Sequence, residues 1–309
     1  MAIRPPDVLP TEVPAMPTVA WRTSSHRHKI PDKGYWRWPA AVARPVPVWE
    51  RLSNLEAKAA CEEEWQKLLK AGPKGCFDVN AVEEFDDVRK RYRRNGKTAH
   101  FGRIHELCYE KNSELPDNDK RKKFKGRDVF LGDQVKDQDG NVALFNDLSS
   151  APATMAAGKF SDYHGLLPGN SQQTADVTSA YLQAFLHAQG VKTTDTWVEI
   201  PKHRWPEQWR KPDGNWKFRR PCCPLLMALY GHPEAGGYWE IHCHNMVTQA
   251  GFRKAAEEWP GCYWHDELQC FLIVYVDDLK MSGPTENLSK AWAKLREGLV
   301  MDEIGRAHV

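Results

Sequence analysis

The clearest apolar run in the chain, Phe271-Leu272-Ile273-Val274-Tyr275-Val276, ends abruptly on two adjacent carboxylates, Asp277 and Asp278. A shorter apolar piece follows and stops at Gly283-Pro284, so the pattern predicts a β-hairpin with both acids at its turn. Ahead of it, Trp239, Cys243, Met246, Val247 and Ala250 recur at helical spacing and end on Gly251. Behind it, Leu288, Trp292, Leu295 and Leu299 repeat that spacing, which predicts a helix over 285–299 covering the back of the hairpin sheet. Upstream, strong helix formers over 54–71 stop at Gly72-Pro73 and predict a surface helix. A second helix is expected from Asn80 as N-cap, with Val82, Phe85, Val88 and Tyr92 on one face and a basic last turn. Residues 97–111 and 124–131 read as two strands joined by a charged loop, and 151–164 as a helix with Pro152 near its start. Pro221-Cys222-Cys223-Pro224 reads as a segment that breaks any strand.

Composition adds boundaries to this pattern. Residues 1–50 are Pro-rich without sustained periodicity, which predicts a poorly ordered leader or linker carrying an aromatic patch, Tyr35-Trp36-Arg37-Trp38. The 309 residues suffice for a large core in one or two lobes. A net charge of +2 excludes a general polyanion magnet, and the positive charge is local, over 89–97 and 120–127. Eight cysteines make no small-domain disulfide framework, and neither a signal peptide nor an apolar span of membrane length is present. An intracellular, cytoplasmic protein is therefore expected, neither secreted nor membrane-bound. His242-Cys243-His244 and Cys262-Tyr263-Trp264-His265 lack the spacing of paired zinc ligands, so no zinc site is expected.

Two acids at a strand end repel each other, an odd choice for a turn unless a cation sits there. Hard ions such as Mg²⁺ are held by one or two carboxylates together with substrate phosphates. The bland alternative is a solvated Asp-Asp turn, and a second site upstream argues against it. In Asp176-Val177-Thr178-Ser179-Ala180-Tyr181 an acid is followed five residues later by an aromatic, where a polar, turn-prone stretch gives way to an apolar one.

Together these two sites resemble motifs A and C of reverse transcriptases. Ala228-Leu229-Tyr230-Gly231-His232-Pro233-Glu234-Ala235-Gly236-Gly237-Tyr238-Trp239 is similar to the Ala-Leu-Tyr-Gly-x-x-Gln-Ala-x-x-x-Trp block of copia-type retrotransposon polymerases. Trp197-Val198-Glu199-Ile200-Pro201, Gly251-Phe252 and the stretch from Phe124 to Gly132 fall where that family has further short motifs. The resemblance spans about residues 55–303 and is specific over 176–283.

The resemblance implies an α+β fold of fingers (51–150) and palm (151–303), the palm an antiparallel sheet backed by helices. It implies an RNA-directed DNA polymerase working by two-metal nucleotidyl transfer with Mg²⁺, or Mn²⁺ in its place. Asp176, Asp277, Asp278 and the backbone carbonyl of Val177 would hold the metals, with the three acids catalytic. Tyr181 would be the steric gate against ribose. Strand alternation sets Lys125 and Arg127 on one face, where an ammonium and a guanidinium can clasp a triphosphate. Glu234 stands in the nucleotide site where the family has Gln, placing an acid near phosphate, and Met227 stands where many members have Lys. The partners implied are an RNA or DNA template with primer, deoxynucleoside triphosphates and the remainder of a Pol polyprotein. Residues 304–309 leave no room for a thumb or RNase H domain and read as a translated sequencing adapter, so a truncated piece with an artefactual tail is expected. Two alternatives stand: a non-catalytic nucleic-acid-binding remnant, and a metal-dependent nuclease using the same acids.

Overall fold

A computed structural model describes residues 43–145, 153–187 and 193–306. The end of the Pro-rich stretch belongs to the fold, as a short strand β1 (Ala43–Pro45) leading into α1 (Val48–Ser53). The aromatic patch at 35–38 lies outside the described residues. Asn54 then starts α2 (Leu55–Lys70) by accepting the amide N–H groups of Glu56 and Ala57, and Ala57, Cys61, Trp65 and Leu68 form its buried stripe.

The helix expected from Asn80 begins later. Glu83 and Glu84 first form a two-residue strand, β2 (Glu83–Glu84), against Pro221 and Cys222, and only then does α3 (Phe85–Arg94) start. Asp78, rather than Asn80, caps the short turn before it. Phe85, Val88 and Tyr92 are its buried residues and its last turn is basic, as the spacing predicts.

The chain continues through β3 (Ala99–Lys111), β4 (Lys123–Phe130), β5 (Lys136–Asp137), α4 (Met155–Gly165), β6 (Asn170–Asp176) and β7 (Asp195–Glu199). After β8 (Pro221–Pro224) come α5 (Ala235–Gln249), β9 (Arg253–Lys254), β10 (Cys262–His265), β11 (Cys270–Tyr275), β12 (Asp278–Pro284), α6 (Thr285–Arg296) and β13 (Gly305–Arg306). The expectation that 221–224 breaks a strand is overturned. Its two prolines sit at the strand ends, leaving Cys222 and Cys223 to pair with Glu83 and Val198. Of the helix expected at 151–164, Ala151 and Pro152 lie outside the described residues, and Thr154 is the cap, accepting from the Ala157 amide at 3.2 Å.

Two sheets result. The first has seven strands in the order β1-β3-β7-β8-β2, with β4 and β5 also on β3, and is mixed because β3 and β7 run parallel. Its long β3 serves two sets of neighbours, β7 along residues 99–103 and β4 along 104–111. The second sheet has six strands, β13-β6-β12-β11-β10-β9, paired antiparallel throughout. Alternation along β11 sends Cys270 and Leu272 into the core that contains Trp292 and Leu295 of α6, while Phe271 and Ile273 pack with Ala157 of α4. Both faces are covered, which is why this strand reads as an unbroken apolar run rather than an alternation. Each fully buried Leu or Trp here contributes roughly 1.5–3 kcal/mol of transfer free energy. The α+β class and an antiparallel sheet backed by helices are present as expected. All eight cysteines are free and buried, and among the described residues no helix is long and apolar enough to cross a membrane.

Candidate active site

The hairpin made by β11 and β12 closes with Tyr275 opposite Asp278, leaving Val276 and Asp277 as a two-residue loop. Asp277 therefore occupies the tip, while Asp278 is the first residue of the returning strand. Val276 has φ 55°, a left-handed backbone that costs a β-branched residue about 1–3 kcal/mol. Two hydrogen bonds hold it there. The Trp239 indole N–H donates to the Val276 carbonyl at 2.6 Å, and the Val177 amide donates to the Asp277 carbonyl at 2.7 Å.

The strand register then decides the electrostatics. β6 pairs with β12 so that Asp176 stands directly opposite Asp278, a position in which Cβ atoms lie about 4.5–5.5 Å apart and like charges repel. The Asp176 carboxyl is pushed up from its ordinary range by partial desolvation first, then by Asp277, Asp278 and Asp302, with Lys125 pulling the other way. Among the described residues none of Asp176, Asp277 and Asp278 forms an ion pair. Hard carboxylate oxygens that repel one another fit a divalent cation of the Mg²⁺ type. Among the described residues no three His, Cys, Asp or Glu side chains form a ready-made metal cage. Mg²⁺ does not require one, since it commonly takes one or two carboxylates and completes its shell with water and phosphate.

The two bases come from the other sheet. In β4, Lys125 and Arg127 lie opposite Tyr109 and Leu107 and share one face, as alternation predicts, while Gly126 and Asp128 between and after them are buried. Gly126 is required for this seating: a Cβ there would fall 2.6 Å from the Ala60 carbonyl oxygen, so α2 rests directly on β4. Arg127 donates to Glu64 of α2 at 3.1 Å, and its guanidinium stands 5.7 Å from the centre of the Tyr230 ring. Tyr230 meets Tyr181 edge to face at 4.6 Å. Both phenols are raised by burial first and by the Asp277 charge second. The Lys125 ammonium is lowered by partial desolvation, then by Arg127 and Lys111. A continuous line of contacts and fields thus runs from Arg127 through Tyr230 and Tyr181 to the acids.

Glu234 is buried at the start of α5, accepts the Tyr238 hydroxyl at 3.2 Å and acts electrostatically on His100. The backbone bonds around Val177 use its amide, to the Asp277 carbonyl, and the amides of Thr178 and Asp302. His242 and His244, separated by Cys243, part company on α5: one ring lies against Trp239, and the other bonds the Tyr263 hydroxyl at 3.2 Å.

Three residues here were not found by sequence reasoning. Asp302 joins the acids through a return segment that bridges Val177 with Met301, and its amide donates to the Asp176 carbonyl at 2.9 Å. Tyr230 was part of a motif without a role of its own. Gln183 ties the loop after Asp176 to residue 300. None carries a local signal, because each acts through a partner more than 45 residues away in the chain.

No family model and no curated protein sequence matches the chain. Among solved structures it is similar to telomerase from Candida albicans in complex with the TWJ fragment of telomeric RNA, at 10% identity and a TM-score of 0.37. That alignment covers 81% of this chain and 46% of the other, so the chain spans less than half the length of the protein it matches.

Proposed function

We propose that this chain is the palm and fingers portion of a copia-type reverse transcriptase, carrying out template-directed DNA synthesis by two-metal nucleotidyl transfer. The observation that carries the reading is the β6–β12 register, which sets Asp278 against Asp176 with Asp277 at the adjoining tip and, among the described residues, no cation paired to any of them. A solvated turn has no reason to place a third acid across a strand. Asp176, Asp277 and Asp278 would hold Mg²⁺, with the Val177 carbonyl as a further ligand. When bound, the ions supply the positive charge that lowers the pKa of a primer 3′-hydroxyl and screens a triphosphate.

The protein's own groups account for the rest. Lys125 and Arg127 share the face of β4 that reaches Tyr230, where they neutralise charge developing on phosphate. Tyr181, wedged on Tyr230 beside Asp277, blocks the space a 2′-hydroxyl would enter. Glu234, in the place of the family's Gln, is buried and accepts the hydroxyl of Tyr238 in α5. Template and primer are held through backbone phosphates, which makes binding salt-dependent and indifferent to sequence.

Primer extension on an RNA template with Mg²⁺, comparing the chain with its Asp277→Asn variant, tests this reading. The variant keeps the backbone carbonyl that Val177 holds, so the tip survives while the metal ligand is lost. A drop of roughly a thousandfold or more is expected. Equal extension by both chains would reject the assignment, and extension by neither would favour a non-catalytic remnant.

A further inference from the structure

The loop after Asp176 is held by a segment that follows α6. Ser179 adopts the left-handed region, with φ 51° and ψ 47°, and launches the short 3₁₀ turn, Ala180–Gln183, that carries Tyr181. A serine rests there only when its surroundings over-determine it. Those surroundings are residues 300–302. The Gln183 side-chain amide donates to the Thr178 carbonyl at 2.8 Å and to the Val300 carbonyl at 2.9 Å, while its oxygen accepts the Val300 amide at 3.0 Å. Asp302 accepts the Thr178 hydroxyl at 2.7 Å, and the Thr178 amide donates to the Val300 carbonyl at 3.0 Å. One glutamine thus satisfies three backbone groups on both sides of the turn.

We infer that Gln183 and Asp302 are positioning residues that clamp the turn between Asp176 and Tyr181, fixing the tyrosine ring against Tyr230 and so setting discrimination between deoxy- and ribonucleotides. The inference rests on the polymerase reading for its consequence and on the hydrogen bonds alone for the clamp. Neither side chain touches the sugar. Their effect passes through the Ser179 backbone to the ring, so loosening the clamp widens the gate without removing it.

The test compares the full chain with Gln183→Ala, Gln183→Glu, Asp302→Ala and Asp302→Asn, using dCTP and CTP as paired substrates in primer extension. In Gln183→Ala the ratio of kcat/KM for CTP to that for dCTP is expected to rise about tenfold, the scale of one misplaced contact in a binding pocket. Gln183→Glu keeps the bond from the Val300 amide but loses both donations, and falls between. Asp302→Asn still accepts the Thr178 hydroxyl and keeps the wild-type ratio, whereas Asp302→Ala raises it. Hydrogen exchange on the same proteins supplies a readout independent of activity, with amides of 177–184 and residue 300 exchanging roughly tenfold faster in Gln183→Ala. An equal loss with both nucleotides at an unchanged ratio overturns the inference, as does unaltered exchange in that segment. Should the wild-type chain extend no primer, the polymerase reading fails by itself, and the exchange result decides the clamp.

Discussion

Two pairs of acids face each other across antiparallel strands in this protein, Asp176 with Asp278 and Glu106 with Asp128, and the chain treats them in opposite ways. Glu106 is buried and paired with cations brought from elsewhere, Arg204 at 2.5 Å and Arg51 at 3.2 Å, with the His203 ring at 3.3 Å. Its neighbour Asp128 is left among the described residues without a hydrogen bond to either oxygen, and burial, followed by the Glu106 charge, pushes its carboxyl up to about 7. That pair is neutralised from inside the fold, by arginine on one member and by a retained proton on the other. Among the described residues no arginine pairs with Asp176 or Asp278, and Lys125 acts on Asp176 only through its field. The difference separates an acid pair that the fold has absorbed from one that it leaves without a paired counter-charge among the described residues.

The largest test of this contrast removes an absorbed charge. Glu106→Gln leaves Arg51 without its anion in the interior and Arg204 with only the more exposed Glu62, and a loss of about 3–5 kcal/mol is expected in urea denaturation. A change below about 1 kcal/mol would mean that the arginines find water instead. Asp128→Asn should act in the opposite direction. A carboxyl raised above its unfolded value favours the fold below the unfolded pKa of 3.8, and that support disappears as pH rises through about 7. The asparagine variant is therefore stabilised most at pH 8, on the order of 4 kcal/mol, and little at pH 4. Denaturation at the two pH values checks it, and equal gains at both would point to packing rather than charge.

At the hairpin the effects are smaller and depend on metal. Asp176 also has a raised carboxyl, so Asp176→Asn relieves repulsion at neutral pH and raises the thermal midpoint without metal. Millimolar Mg²⁺ should raise the midpoint of the wild-type chain by mass action, EDTA should reverse the gain, and the variant should show little of either response. Thermal scans with and without the ion read all three. A variant that loses stability, or responds to Mg²⁺ as the wild type does, would break the comparison.

What could be read from the sequence follows how far each interaction reaches along the chain. The apolar run into Asp277 and Asp278, the stripes of α5 and α6 and the shared face of Lys125 and Arg127 are all short-period patterns, and each is found in the structure. The start of α3 was misplaced because Glu83 and Glu84 are claimed by a strand more than 130 residues later. The same pairing turned the two prolines around Cys222 and Cys223 from breakers into strand ends. Of the site, the three acids were visible as motifs. Their opposition across β6 and β12 was not, because register is set by where two distant strands meet. Asp302, sitting in a stretch without periodicity, was hidden for the same reason.

Val276 carries one further consequence, and it concerns time. A hairpin tip that keeps a β-branched residue in a left-handed conformation, with its carbonyl and that of Asp277 each gripped by a separate donor, has almost no alternative arrangement to visit. On the proposed reading, an ion arriving at Asp277 and Asp278 meets a backbone that is already set. Capture on that reading needs no reordering of the tip backbone, so only the carboxylate side chains and the ion's own water remain to adjust.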